Sequence, residues 1–324
     1  NACRAQPCPA CRTPAPGRPR AQLGVGINSE TLCARGRFGY DFITSAERLT
    51  TPLIRKFGRL EPASWGEALS FVKEKLSSAD PKKSAGIASS RLTNEELYLF
   101  QKLFRKVIGS PNVDSTVRWG KSSAEGFIAA LGMADGGTSM FDCAESDTVF
   151  IVGAHLSDEN PVVDYTIRRI ANAKGNFVAV ASARAMKLDS TARLMLRHEP
   201  AMEGPLCDAL TAGLLAANPE KVSGVEGIKR IKDEKPDEFS KAAGIAPDVA
   251  AELVQRLLGG KTVGIVAGTE FLRFPQGLAA LLLLVLSLKA LGKKVTLLPA
   301  LDRANQRGAW EMGVHPSFGP GYSH

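Results

Sequence analysis

Short β-branched runs alternating with helix-length amphipathic segments predict an α/β chain built on doubly wound parallel sheets, preceded by a small cysteine-bearing subdomain. Three observations carry that expectation. Thr148 to Val152 is a strongly β-branched run ended by Gly153, the pattern of a strand buried on both faces. The same scheme recurs at Phe177–Ala181, Thr262–Val266 and Lys294–Leu298, with helix-length segments between, and such alternation implies parallel strands joined by right-handed crossovers. Four of the six cysteines fall within the first 33 residues, in a stretch rich in Pro, Gly and Arg.

Taken in order, residues 1 to about 60 show little hydrophobic periodicity and cannot bury enough apolar surface to fold alone. They need a metal cluster or a neighbour. Ser64 followed by Glu67 forms a capping box, and the helix it opens, 65–77, carries Ala68, Leu69, Val72 and Leu76 on one face. Gly86 to Ser90 reads as a short strand. Thr93–Glu96 starts a helix that runs through Leu97, Phe100, Leu103, Phe104 and Val107 and stops near Gly109. Further helices are expected at 121–131, 161–173, 203–216, 246–258 and 276–291, with short helices or loops over 221–245. In doubly wound sheets ligands bind beyond the carboxyl ends of the strands. Gly153-Ala154-His155, Ala181-Ser182-Ala183-Arg184 and Gly268-Thr269-Glu270 occupy those ends. None is a G-x-G-x-x-G dinucleotide fingerprint, and each is also an ordinary way to end a strand.

The composition, 44% hydrophobic and 23% charged, is that of a globular protein. The start of the chain lacks the basic flank and apolar core of a signal peptide. The longest apolar stretch, Leu278 to Leu288, is shorter than the roughly 20 residues that span a bilayer, so no direct membrane insertion is expected. A net charge of +8 suits an acidic partner, an anionic surface or nucleic acid. It is spread along the chain, and with only 6% aromatic residues there is little to interleave a nucleic-acid patch, so no nucleic-acid partner is expected.

The clustered cysteines point to metal, because a long chain without an export signal is a poor setting for a disulfide framework. Cys3, Cys8 and Cys11 are spaced C-x4-C-x2-C, and Cys33 follows after 21 residues. Four thiolates so arranged suit an iron–sulfur cluster or a structural zinc ion. Zinc would ordinarily show a second C-x2-C knuckle, and only Cys33 is offered.

The residues that follow carry a resemblance. Cys33-Ala34-Arg35-Gly36-Arg37-Phe38-Gly39-Tyr40-Asp41, then Arg48-Leu49-Thr50-Thr51-Pro52-Leu53-Ile54-Arg55, then Trp65-Gly66-Glu67-Ala68-Leu69, resemble in order the molybdopterin oxidoreductase superfamily. That family places C-x-K/R-G-x-x-G-x-D/E after its cysteine cluster, then R-L-x-x-P-L-x-R and W-x-E-A-L. Asn160-Pro161-Val162 and Asn305-Gln306-Arg307-Gly308-Ala309-Trp310-Glu311-Met312-Gly313 extend the likeness over the whole chain. The resemblance implies one [4Fe–4S] cluster on Cys3, Cys8, Cys11 and Cys33, with Arg35 and Arg37 beside it. It also implies an iron–sulfur subdomain over 1–60 and two Rossmann-like lobes over 61–324.

Departures from the pattern narrow the expectation. The family usually spaces its first cysteines C-x2-C-x3-C. Gly120 and Lys121 stand where formate dehydrogenases carry Cys and His, and glycine has no donor atom for molybdenum or tungsten. Cys143, far from that point, reads as a buried thiol. Arg35 replaces the usual Lys, and the phrase C-A-R-G-R-F-G-Y is similar to the large iron–sulfur subunit of NADH dehydrogenase, the G-type branch of the family. That likeness implies an electron-transfer and scaffold subunit without a functional molybdenum site. Its partners would be iron–sulfur and flavin subunits, in the cytoplasm or peripheral to a membrane complex. Molybdopterin is not expected, nor is the C-terminal barrel that helps grip it. The alternatives are a molybdenum or tungsten formate dehydrogenase module and a zinc-stapled binding module.

Overall fold

The computed structural model describes residues 32–116, 125–129, 132 and 139–323. The chain forms two compact units, one built from residues up to Arg118 together with Arg303–His324, the other from Trp119–Asp302.

The first unit opens with the one-turn helix Ala34–Phe38 and a hairpin of β1 (Leu53–Lys56) and β2 (Arg59–Pro62). The hairpin was not foreseen. Its two-residue loop, Phe57-Gly58, has positive φ at both positions, 48° and 84°. That is the primed-turn geometry that matches strand twist, and Phe is an uncommon residue for it. The helix Trp65–Ser77 starts at the expected capping box, with the Ser64 hydroxyl accepting from the Glu67 N–H and the Glu67 carboxylate accepting from Ser64. It buries none of its residues, so the apolar stripe legible in the sequence stays open, with Trp65 69% exposed.

β3 (Gly86–Ala88) pairs in parallel with β4 (Val113–Ser115). β3 is shorter than expected because Ser89 begins a turn, closed by the Leu92 N–H on the Ser89 carbonyl at 3.2 Å. The helix Asn94–Lys102 changes to π-helical pitch over Leu103–Ile108 and ends at Gly109, φ 78°. Its Leu97 packs with Ala88, Val113, Ala309 and Val314. Asn305 brings the C-terminal stretch there: its side-chain amide donates to the Leu92 carbonyl (2.8 Å) and the Asn94 side chain (2.9 Å). A Cβ on Gly308 would fall 2.1 Å from the Asn305 Oδ1, which is why the motif needs glycine there.

The second unit is a five-stranded parallel sheet of β5 (Thr148–Val152), β6 (Phe177–Ala181), β7 (Leu194–Leu196), β8 (Thr262–Gly268) and β9 (Lys294–Ala300). Their order is β7-β6-β5-β8-β9. All five residues of β5 are buried, as are those of β6, consistent with helices on both faces. The helix Pro161–Lys174 begins with proline in its first turn and ends at Gly175, φ 74°, a start and stop that local sequence dictates. It lays Ile167, Ile170 and Ala171 on Val149, Ile151, Val178 and Val180. The long helices Glu203–Ala217, Pro247–Gly259 and Pro275–Ala290 lie within a residue or two of their expected places. Between them, Val222, Ile228 and Ile231 seat the charged 221–245 segment on Leu283. β4, β7 and the short helix Met140–Ala144 were not foreseen. Of the helix expected at 121–131, residues 125–129 are helical and the remainder lies outside the described residues.

Candidate functional site

Cys33 is the N-cap of the helix Ala34–Phe38. Its backbone is extended (φ −68°, ψ 160°) and its half-buried Sγ accepts the Gly36 N–H at 3.4 Å. The Arg37 N–H closes on the Cys33 carbonyl at 3.0 Å, and the Gly39 N–H on the Arg35 carbonyl at 2.9 Å. The C-A-R-G-R-F-G phrase is therefore one capped helical turn. Gly39 is required because a Cβ would sit 2.7 Å from the Arg35 carbonyl oxygen. Arg35 is exposed and Arg37 half-buried, both in this turn.

A thiolate facing a backbone N–H is the environment that tunes an iron–sulfur ligand, so Cys33 fits such a cluster. Cys3, Cys8 and Cys11 lie outside the described residues, as do Gly120 and Lys121. Among the described residues no group of three or more His, Cys, Asp or Glu could hold a metal ion. Cys143 is fully buried, and burial beside Asp142 pushes its thiol up to about 12. Cys207, also buried, is raised for the same reason, with Asp208 adding to it. Neither has the electropositive, accessible setting of a reactive thiolate.

The other site lies beyond the carboxyl ends of the five-stranded sheet, where strand order reverses between β5 and β8. A cavity of about 100 Å³ is lined there by Gly153, His155, Glu159, Ser182, Glu203, Thr269, Arg273 and Asp302, among others. β5 and β8 approach so closely at its floor that a Cβ on Gly268 would fall 1.6 Å from the Gly153 carbonyl oxygen. Thr269 donates its hydroxyl to the Ala300 carbonyl at 2.6 Å, tying β8 to β9, and Arg273 pairs with Asp302 at 3.0 Å. A wider groove of about 450 Å³ adjoins it, lined by His155, Ser157, Asp158 and the stretch 184–187. Arg184 donates through Nε to the His155 Nδ1 at 3.2 Å.

Behind Glu203 lies His198, whose side chain is fully buried. Its Nδ1 is 2.8 Å from the Glu199 carbonyl, which can only accept, so Nδ1 carries the proton. Its Nε2 makes no hydrogen bond and lies 4.0 Å from the Glu203 carboxylate. The strand-end rule finds Gly153–His155, Ser182–Arg184 and Thr269. Applied to β9, it would also have found Asp302. Glu203, Arg273 and His198 belong to helices and connections whose approach is decided only through space.

Residues 48–199 match the molybdopterin oxidoreductase family, with the strand-end turns of β5 and β6 inside the matched span. The matched span is just under half of the chain. Among its relatives, the G 2 subunit of the NADH-quinone oxidoreductase of Rhizobium meliloti (strain 1021) is 37% identical over 315 residues, covering 94% of this chain and 35% of that protein. NADPH-Fe(3+) oxidoreductase subunit alpha of Geobacter sulfurreducens is 32% identical, covering 91% of this chain and 36% of its own length. Formate dehydrogenase H of Escherichia coli (strain K12) is 29% identical, covering 94% and 46%. The chain thus spans about a third of the length of the first two of these curated relatives. In three dimensions it is similar to acetylene hydratase from Pelobacter acetylenicus, with a TM-score of 0.62 at 15% identity over 82% of this chain and 38% of that one. This likeness is one of fold, and it agrees with the doubly wound α/β class expected from the sequence.

Proposed function

We propose that this chain is a cluster-carrying electron-transfer and scaffold subunit of a multisubunit NADH-linked oxidoreductase, without a functional molybdenum site. The observation that carries the reading is the 37% identity to a G-type subunit of an NADH-quinone oxidoreductase, sustained across 94% of the chain. In this reading residues 1–60 form the iron–sulfur subdomain. Cys3, Cys8, Cys11 and Cys33 would hold one [4Fe–4S] cluster, which supplies reversible one-electron transfer when bound.

The chain's own residues have separate tasks. The turn at Cys33 presents its sulfur and directs the Gly36 N–H at it. Arg35 and Arg37 place positive charge beside the sulfur, which favours the reduced state of a cluster. The sheet and its helices give a rigid body on which iron–sulfur and flavin subunits dock. We place the assembly in the cytoplasm or peripheral to a membrane. No helix among the described residues is long and apolar enough to cross one.

Formate dehydrogenases are also among the relatives, at 29% identity. A catalytic molybdenum or tungsten module is therefore the second reading, and it needs a metal ligand that Gly120 cannot supply. Elemental analysis of anaerobically purified protein separates the two. About four irons per chain with neither molybdenum nor tungsten is the expected result. Stoichiometric molybdenum or tungsten would establish the catalytic reading instead, and zinc alone would remove both.

A further inference from the structure

We propose that the crevice at the carboxyl ends of β5 and β8 is closed to the diphosphate of a pterin dinucleotide, and that the Glu203 carboxylate closes it. The inference rests on the reading of the chain as a subunit without a molybdenum site, and it names the residues responsible.

A dinucleotide held at a doubly wound sheet places its diphosphate on the turn after the first strand, against backbone N–H groups and the N-terminus of the following helix. Here that turn is Gly153-Ala154-His155. Gly153 adopts φ 58°, so the backbone is laid open on one side. The open side is already covered. A Cβ on Gly153 would meet Glu203 Cγ at 3.2 Å, Glu203 Oε1 at 3.6 Å and Phe271 Cβ at 3.0 Å. The group against this turn is thus a carboxylate, backed by the buried His198 at 4.0 Å. The Gly153 N–H is itself spent on the Ala181 carbonyl, at 3.3 Å.

The following helix does not reverse the sign. Leu156–Glu159 is a single turn that carries Asp158 and Glu159, and the next helix begins at Pro161, which has no N–H to offer. Around the cavity stand Glu159, Glu203 and Asp302, with Arg273 held to Asp302 at 3.0 Å. Arg184 and Lys187 line the adjoining groove beyond β6, where Arg184 is engaged on His155 at the far end of the turn, at 3.2 Å, and Glu203 stands at the Gly153 end. A diphosphate brought to the turn would meet like charge at close range in a partly desolvated setting, where screening is weak.

GDP is the probe, since it carries a nucleoside and a diphosphate without the pterin, and guanosine is its uncharged counterpart. Titration calorimetry on the anaerobically purified full chain should show no saturation by GDP up to about 1 mM, the weak end of measurable affinity. Glu203→Gln, and Glu203→Gln combined with Glu159→Gln, should saturate with GDP at about a tenth of that concentration while guanosine changes little. Circular dichroism of each variant establishes that it is folded. Saturation of the wild type at micromolar GDP would overturn the inference, as would charge-removed variants that bind no better. A variant that fails to fold leaves the wild type to decide: iodine oxidation should release no fluorescent pterin, and a stoichiometric yield would sink the idea. Iron is read on the same sample. Iron with pterin ends this inference and keeps the cluster reading, whereas neither iron nor pterin does the reverse.

Discussion

Asp147 stands immediately before β5 and joins it to β8. Its carboxylate accepts the N–H groups of Lys261 at 2.8 Å and Thr262 at 2.9 Å, while its own N–H donates to the Thr262 hydroxyl at 2.8 Å. Hydrogen bonds from the Thr262 and Lys261 backbones hold its carboxyl below the usual aspartate range. A depressed folded value means that this stabilisation is fully present above the unfolded value, about 4, and is lost as pH falls through the folded one. The group is exposed, so solvent screening keeps the effect small. Asp147→Asn is expected to cost about 1 kcal/mol near neutral pH and almost nothing well below the folded value. Urea unfolding of both proteins at neutral and at strongly acidic pH checks this. An equal difference at both pH values would show that the charge is not what matters. Nothing in the sequence marked Asp147, because its partners lie more than 100 residues away.

Strand and helix placement is governed by short-range signals in most places and by close approach in a few. Capping residues and a C-terminal glycine set the ends of Trp65–Ser77 and Pro161–Lys174, and both were legible. Gly264 is different. It lies in the middle of β8, where glycine lowers strand propensity, and its reason is a helix that the sequence did not announce. A Cβ there would fall 2.3 Å from the Cys143 carbonyl oxygen and 2.9 Å from the Cys143 sulfur. The helix Met140–Ala144 therefore rests directly on the strand. Gly264→Ala should force that helix off the sheet and destabilise the five-stranded unit by about 1–3 kcal/mol. Thermal or denaturant unfolding measures it. A substitution without effect would mean that the helix is loosely held.

Across the whole molecule, the Cys33 turn and the five-stranded sheet belong to different units. Burial of β5, β6 and β8 under apolar helices stabilises the sheet. Among the described residues near Cys33, Phe38, Phe42 and Ile43 are all more than half exposed. In the proposed reading, metal ligation supplies the order there. Cys33→Ser should abolish iron incorporation while leaving the cooperative unfolding of the sheet unit in place. Iron content and a denaturant melt followed by circular dichroism test both halves. Full iron retention would remove Cys33 from the proposed ligand set.

What the sequence determined by itself is whatever depends on near neighbours in the chain. Hydrophobic periodicity located β5, β6, β8, β9 and the long helices, because period and β-branching are local properties. The alternation of strands and helices gave the doubly wound class. The motif residues from Cys33 to Gly39 marked the turn that the structure shows as a capped helix. Tertiary structure alone decided the rest. It set the β7-β6-β5-β8-β9 order and the return of residues after Arg303 to the unit that contains β3 and β4. It also brought Glu203 against Gly153. These are contacts between segments tens to hundreds of residues apart, fixed by which buried faces fit together, and one sequence carries no local trace of them. The apolar face of Trp65–Ser77 shows the opposite limit: the pattern is plain in the sequence, yet among the described residues nothing buries it.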